Sequence, residues 1–256
     1  MDTDIVKRAL ITGAGKRLGR AMAISLGSSG FEVAVHYNSS SDGAEETCRQ
    51  ITDAGGKAVI VKANLSDEAE TSALIGRASQ ALGGHIGCLV NNASTFEDDS
   101  ALSHTRESWD HHMNVNLRAP ICLAQSFAQA LPDTARGLIV NMVDQRVWKL
   151  NPNFFTYTLS KSGLWTATKT LAQALAPNIR VNAIGPGPTM QNARQDEEDF
   201  QKQVDATLTQ RGSSPEDIVH ALRFLIDADA VTGQMIAVDG GQHLIWQTPD
   251  VLDVVE

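Results

Sequence analysis

The sequence predicts an α/β fold, with one doubly wound parallel sheet of about seven strands and helices on both faces. Two observations carry that expectation. The strand-like segments are short, mostly continuous apolar runs, the pattern of strands buried on both faces, and they are separated by amphipathic, helix-like stretches. A glycine turn, Thr-Gly-Ala-Gly-Lys-Arg-Leu-Gly at 12–19, falls between the first such run and the first helix.

The elements follow in order. Ala-Leu-Ile-Thr (9–12) reads as a strand, and a helix runs from about Leu18 to Ser29. Phe-Glu-Val-Ala-Val-His-Tyr (31–37) is a second strand, with a helix near 42–54. A third strand spans 57–63 with a helix near 67–82, and a fourth spans 86–93. Two helical stretches cover 106–131, and 137–143 is a fifth strand. A long helix from Phe155 to Ala176 stops at Pro177. Strand six covers 179–184, and a helix near 215–227 and a last strand at 234–240 close the fold. With no internal repeat and no low-complexity linker, residues 1–256 read as a single domain, and 242–256 as an extension past its last strand.

Composition narrows the function classes. The 256 residues carry a net charge of -9, which disfavours nucleic acid and anionic membrane as partners. The N-terminus lacks the basic start and apolar stretch of a signal peptide, and no run is long enough to span a membrane, so a cytoplasmic location is expected. Cys48, Cys88 and Cys122 are widely spaced, and adjacent His111 and His112 point in different directions on a helix, so no metal is expected.

The glycine turn lets backbone approach a pyrophosphate, while the helix behind it supplies free N–H groups and a positive dipole end. The end of strand two chooses the cofactor. NAD enzymes place an acid there for the ribose 2′-OH. Here the strand ends in His36, Tyr37, Asn38 and Ser39, and no carboxylate appears before Asp42. A carboxylate about 4 Å from a 2′-phosphate would cost on the order of 1–4 kcal/mol per charge pair. Its absence, with Lys16, Arg17 and His36 nearby, points to NADPH.

With these motifs the chain resembles the short-chain dehydrogenase/reductase family, whose fold is of the Rossmann type. Thr12, Gly13 and Gly19 match the family's Thr-Gly-x-x-x-Gly-x-Gly, and Arg17 stands where a middle glycine is usual. Lys16-Arg17-Leu18-Gly19 resembles the pteridine reductases in particular. The resemblance assigns further cofactor contacts. Asn64 and Leu65 stand at the adenine position, and Asn92, Ala93 and Ser94 match the segment near the ribose. Pro186, Gly187 and Thr189 match a shortened nicotinamide segment.

Tyr157 and Lys161 supply the family's Tyr-x-x-x-Lys, and the i, i+4 spacing puts both on one helix face. An ammonium beside a phenol is expected to draw its pKa down from near 10 toward neutrality. The lysine also holds the nicotinamide ribose, by resemblance. Asn116 matches the asparagine of the family's proton relay, with Asn114 and His111 as alternatives.

The family's usual serine is replaced by Asp144. An ionised carboxylate only accepts hydrogen bonds and would repel the oxyanion of a reduced ketone. It suits a substrate with N–H groups, and a carboxyl with a raised pKa could protonate a ring nitrogen. The alternative is a surface aspartate displaced by a register shift. Asp144, Tyr157, Ser94 and Phe96 together resemble the substrate site of pteridine and dihydromonapterin reductases, where the aromatic sandwiches a flat pterin against the nicotinamide. Phe96 could also be an ordinary core aromatic. The expected function is therefore NADPH-dependent reduction of a pterin-like substrate, and the alternative is reduction of a 3-oxoacyl thioester or sugar. The acidic stretch 190–212 reads as a substrate lid or a plain surface helix. The family implies a homotetramer, and apolar residues after Gly241 suggest packing on a neighbouring subunit.

Overall fold

The computed structural model of the chain describes residues 5–191, 195–248 and 251–252. Among the described residues seven strands are present: β1 (Arg8–Ile11), β2 (Glu32–Tyr37), β3 (Lys57–Lys62), β4 (Cys88–Asn91), β5 (Gly137–Met142), β6 (Ile179–Pro186) and β7 (Met235–Val238). They form one parallel sheet in the order β3-β2-β1-β4-β5-β6-β7. The helices are α1 (Arg17–Ser28), α2 (Ser41–Asp53), α3 (Glu68–Leu82), α4 (Arg106–Met113), α5 (Ala119–Ala130), α6 (Phe155–Leu175), α7 (Glu197–Asp205) and α8 (Pro215–Asp227).

The apolar runs are continuous because both sheet faces are covered. Alternate residues of one strand serve opposite cores. Ile11, Val90 and Val140 pack with Met22 and Leu26 of α1 and Leu222 of α8. Their neighbours Leu10, Leu89 and Ile139 pack with Leu74 of α3 and Leu123 and Phe127 of α5. Each such buried aliphatic contributes about 1.5–3 kcal/mol. The strand order reverses between β1 and β4, where Ile11 sits opposite Val90, and this opens a crevice at their carboxyl ends.

Some expected boundaries shift. The two helical stretches between 106 and 131 are joined by a π-helical turn at Asn114–Arg118, which widens the helix and keeps Asn116 wholly buried. β6 runs on to Pro186 and delivers Pro186 to the crevice. Within the acidic stretch α7 forms with an Asp196 cap, while residues 192–194 lie outside the described residues. Beyond β7 a short turn at Gln242–Leu244 leads to exposed Leu244 and Trp246. Residues 249–250 and 253–256 of the extension also lie outside the described residues.

Among the described residues no helix is long and apolar enough to cross a membrane, and no group of three or more His, Cys, Asp or Glu side chains could hold a metal. Burial pushes the Cys48 thiol up to about 11 and the Cys88 thiol up to about 12, which suits inert structural thiols.

Candidate active site

A cavity of about 610 Å³ opens over the carboxyl ends of the strands. The glycine turn, the end of β2, the segments after β4, β5 and β6, and the helices α6 and α7 all contribute to its wall. Of the expected cofactor contacts, Gly13, Lys16, Arg17, Leu18, Gly19, His36, Tyr37, Asn38, Ser39, Asn92, Ala93, Ser94, Tyr157, Lys161, Pro186, Gly187 and Thr189 line it. Asn64 and Leu65 do not: Asn64 turns its Oδ1 back to accept from Ser66 N, and Leu65 is buried in the core.

The turn is built for close approach. Gly13 has φ +63°, and a Cβ on Gly19 would run into Gly13 O and Asn92 Nδ2. Thr12 Oγ1 accepts from Asn92 N and Ala93 N, each at 2.9 Å, and so ties the turn to the segment after β4. α1 begins with no side-chain cap and no acid in its first turn. Its first N–H groups therefore offer an anion seat, with Lys16 beside it. Arg17 has φ +52°, which explains why a glycine is usual at that position; the left-handed conformation costs about 1–2 kcal/mol in any other residue. Its guanidinium donates to Met190 O at 3.0 Å and Gln191 O at 2.8 Å, bridging the turn to the segment after β6.

A dinucleotide phosphate fits these residues. At the end of β2, exposed Asn38, Ser39 and Ser40 precede α2, whose N-terminus has no side-chain cap, and Asp42 lies off the cavity wall. His36 requires a correction. Its Nδ1 accepts from Gly13 N at 3.0 Å and its Nε2 faces Ala63 O at 3.1 Å, so the ring is neutral with its proton on Nε2. Burial lowers its pKa to about 4. His36 shapes the glycine turn and supplies no charge to a phosphate.

Tyr157 Oη donates to Asp144 Oδ2 at 2.8 Å, which removes the possibility of a register shift. The other carboxylate oxygen accepts from Arg146 N at 2.8 Å. The expected lowering of the Tyr157 pKa is overturned. Burial first, and then the charge and hydrogen bond of Asp144, hold this phenol well above its ordinary value. Lys161 Nζ instead donates to Met142 O at 2.8 Å and lies 5.7 Å from the tyrosine ring centroid. Burial lowers the Lys161 pKa to about 8. The site thus presents a protonated phenol bonded to the Asp144 carboxylate.

Asn116 is wholly buried. Its Nδ2 donates to Thr95 O and Ser160 Oγ, and its Oδ1 accepts from Thr95 N and Ser94 Oγ. It does not reach the cavity wall, and its amide braces the segment that carries Phe96. Thr189 lines the cavity, but its hydroxyl bonds Ser213 Oγ and Gly187 O.

Phe96 stands at the cavity rather than in the core. Its ring packs edge-to-face on Tyr157 at 4.7 Å and stacks on Phe154 at 4.2 Å. The Arg146 guanidinium carbon lies 5.2 Å from the Phe154 ring centroid. Sequence reasoning missed Phe154, Arg146 and Gln145, whose buried Oε1 has no partner. Their only signal was proximity to Asp144 and Tyr157. It also missed Phe200 and Gln203 of α7, which reach the wall from the acidic stretch.

A parallel sheet whose crevice joins an uncapped glycine turn to a Tyr-x-x-x-Lys helix defines a class of dinucleotide-dependent oxidoreductases. Residues 13–243 match the family model described as enoyl-(acyl carrier protein) reductase, and the chain belongs to the short-chain dehydrogenase/reductase family. A solved structure described as FolM alternative dihydrofolate reductase 1 from Brucella canis, complexed with NADP, is 48% identical. It covers 96% of this chain and 98% of its own, with a TM-score of 0.93. Its counterpart from Brucella suis, also in complex with NADP, is 49% identical over 95% of this chain and 98% of that one, with a TM-score of 0.92. The 3-oxoacyl-[acyl-carrier-protein] reductase FabG of Staphylococcus aureus (strain Mu50) is 32% identical over 94% of this chain and 99% of its own length.

Proposed function

We propose that the protein is an NADPH-dependent reductase that delivers hydride to a pterin-like substrate, as a pteridine or dihydromonapterin reductase does. The observation that carries this reading is the Tyr157–Asp144 hydrogen bond beside the Phe96 ring. Reducing a ring C=N bond needs a hydride on carbon and a proton on nitrogen. The nicotinamide, when bound, supplies the hydride. Tyr157 holds the proton, kept on the phenol by burial and by Asp144. Asp144 supplies acceptor oxygens for the amino and ring N–H donors of such a heterocycle. Phe96 offers a flat wall. Lys161 and the α1 N-terminus would hold the ribose and phosphates of the cofactor, and the carboxylate-free end of β2 would take the 2′-phosphate. The names of the Brucella structures, which pair dihydrofolate reduction with NADP, support the same reading.

Carbonyl reduction is the competing reading, supported by the name of the Staphylococcus relative. Asp144 argues against it. A carboxylate about 4 Å from a developing oxyanion costs on the order of 4 kcal/mol near a protein surface. The discriminating variant is Asp144→Ser. Its turnover of dihydropterins should fall by about tenfold or more while ketone turnover rises. Unchanged dihydropterin kinetics would remove Asp144 from the mechanism. We also propose that the protein is cytoplasmic and acts as a one-domain homotetramer, with exposed Leu244 and Trp246 available to a second copy. Light scattering tests the assembly, and a monomer at micromolar concentration would contradict it.

A further inference from the structure

Behind the cavity, a buried polar cluster joins three of the segments that build it. Asp99, His112 and Thr156 are 6%, 0% and 0% exposed, respectively. Glu97 N donates to His112 Nε2 at 3.0 Å. With Nε2 accepting, the neutral ring carries its proton on Nδ1, which faces Thr156 Oγ1 at 2.6 Å. Thr156 Oγ1 in turn donates to Asp99 Oδ2. The donations run in one direction, from a backbone N–H through imidazole and hydroxyl to a carboxylate, an order in which each bond polarises the next.

Asp99 does a second thing. Helix α6 follows Phe154, which sits at its N-cap with φ +54° and offers no side-chain cap. The cap comes from a distant loop: Thr156 N donates to Asp99 Oδ1 at 2.9 Å, and Phe155 N donates to Asp99 O at 3.1 Å. Ser108 Oγ of α4 also donates to Asp99 Oδ2 at 3.0 Å. One carboxylate thus anchors the first turn of the catalytic helix, α4 and the loop after β4.

Two residues along this chain of bonds adjoin residues of the site. Thr156 precedes Tyr157, and Glu97 follows Phe96. Burying a carboxylate and an imidazole is costly unless both are fully bonded, and none of the three side chains lines the cavity. We propose that Asp99, His112 and Thr156 are positioning residues: they fix the Tyr157 hydroxyl and the Phe96 ring in one register, so that acid and stacking wall meet the same substrate. The inference rests on Tyr157 acting as the acid, as proposed above.

The test compares Thr156→Val, which keeps the shape and loses the hydroxyl, with Thr156→Ser, which keeps the hydroxyl. Each is assayed on whichever substrate the wild type reduces, pterin or ketone, so that a failed pterin reading stays distinguishable from a failed positioning role. NADPH affinity is followed by fluorescence and folding by Tm. Thr156→Val should lose about tenfold or more in kcat while its NADPH Kd stays within about twofold, because small misplacements of reacting groups are costly. Thr156→Ser should recover most of kcat. Asp99→Asn, which keeps Oδ1 for the helix cap but replaces Oδ2 with an amide that cannot accept from Thr156 Oγ1 and Ser108 Oγ, should show the same split and serves if the valine variant does not fold. Wild-type kcat in a folded Thr156→Val or Asp99→Asn overturns the proposal. So does a loss of kcat that tracks Tm or NADPH affinity equally in the serine and valine variants.

Discussion

At the scale of single residues, chemistry and geometry separate. Tyr157→Phe should abolish turnover while leaving NADPH affinity nearly unchanged, since the hydroxyl holds the transferable proton and the ring keeps its packing on Phe96. Full activity in that variant would contradict the assigned acid. His36 makes a different prediction, about stability. Its folded pKa is about 4 against an ordinary 6.5, so the unfolded chain binds the extra proton between those values. The stabilisation is fully present above pH 6.5 and is lost as pH falls toward 4, at about 1.4 kcal/mol for each pH unit crossed. A Tm–pH series should therefore be flatter over that window in His36→Gln than in the wild type, and equal slopes would refute the buried neutral ring. Tyr157, Lys161 and Asp144 were legible because their spacing is local or fixed by the strand–helix frame. The neutral state of His36 was not, because nothing in the sequence shows that its two ring nitrogens meet Gly13 N and Ala63 O. Nor does it show that Asn116 spends its amide on Ser94, Thr95 and Ser160.

At the scale of elements, the signals that survived are periodic ones. The strands were readable from unbroken apolar runs, and α1 from the glycine turn ahead of it. The π turn at Asn114–Arg118 left no pattern, and the cap of α6 by Asp99 left none because its partner lies far along the chain. The uncapped N-termini of α1 and α2 carry the cofactor argument. Placing a carboxylate at the end of β2, in Asn38→Asp, should shift the kcat/KM preference from NADPH toward NADH by about tenfold or more, from repulsion of the 2′-phosphate. An unchanged preference would move the 2′-phosphate away from β2. Arg17 bridges α1 to Met190 and Gln191 after β6, so the segment leading to α7 is tied to the cofactor turn. That coupling between turn and candidate lid could not be read from a positive charge alone.

At the scale of the whole molecule, the sheet order places a crevice at the reversal between β1 and β4, and the residues that line the cavity converge there. The frame was predictable because right-handed crossovers leave little choice of topology. The same frame serves many chemistries, so the fold supplies the cofactor crevice while Tyr157 and Lys161 carry the hydride chemistry and Asp144, Phe96 and their surroundings choose the substrate. The central claim is that this cavity reduces a flat nitrogen heterocycle. Steady-state kcat/KM with NADPH, measured side by side on dihydrobiopterin, dihydromonapterin and an acetoacetyl thioester, tests it most directly. The account predicts that a dihydropterin leads by at least about a hundredfold, near 2.7 kcal/mol in transition-state stabilisation. Efficient thioester reduction with no dihydropterin turnover would contradict it.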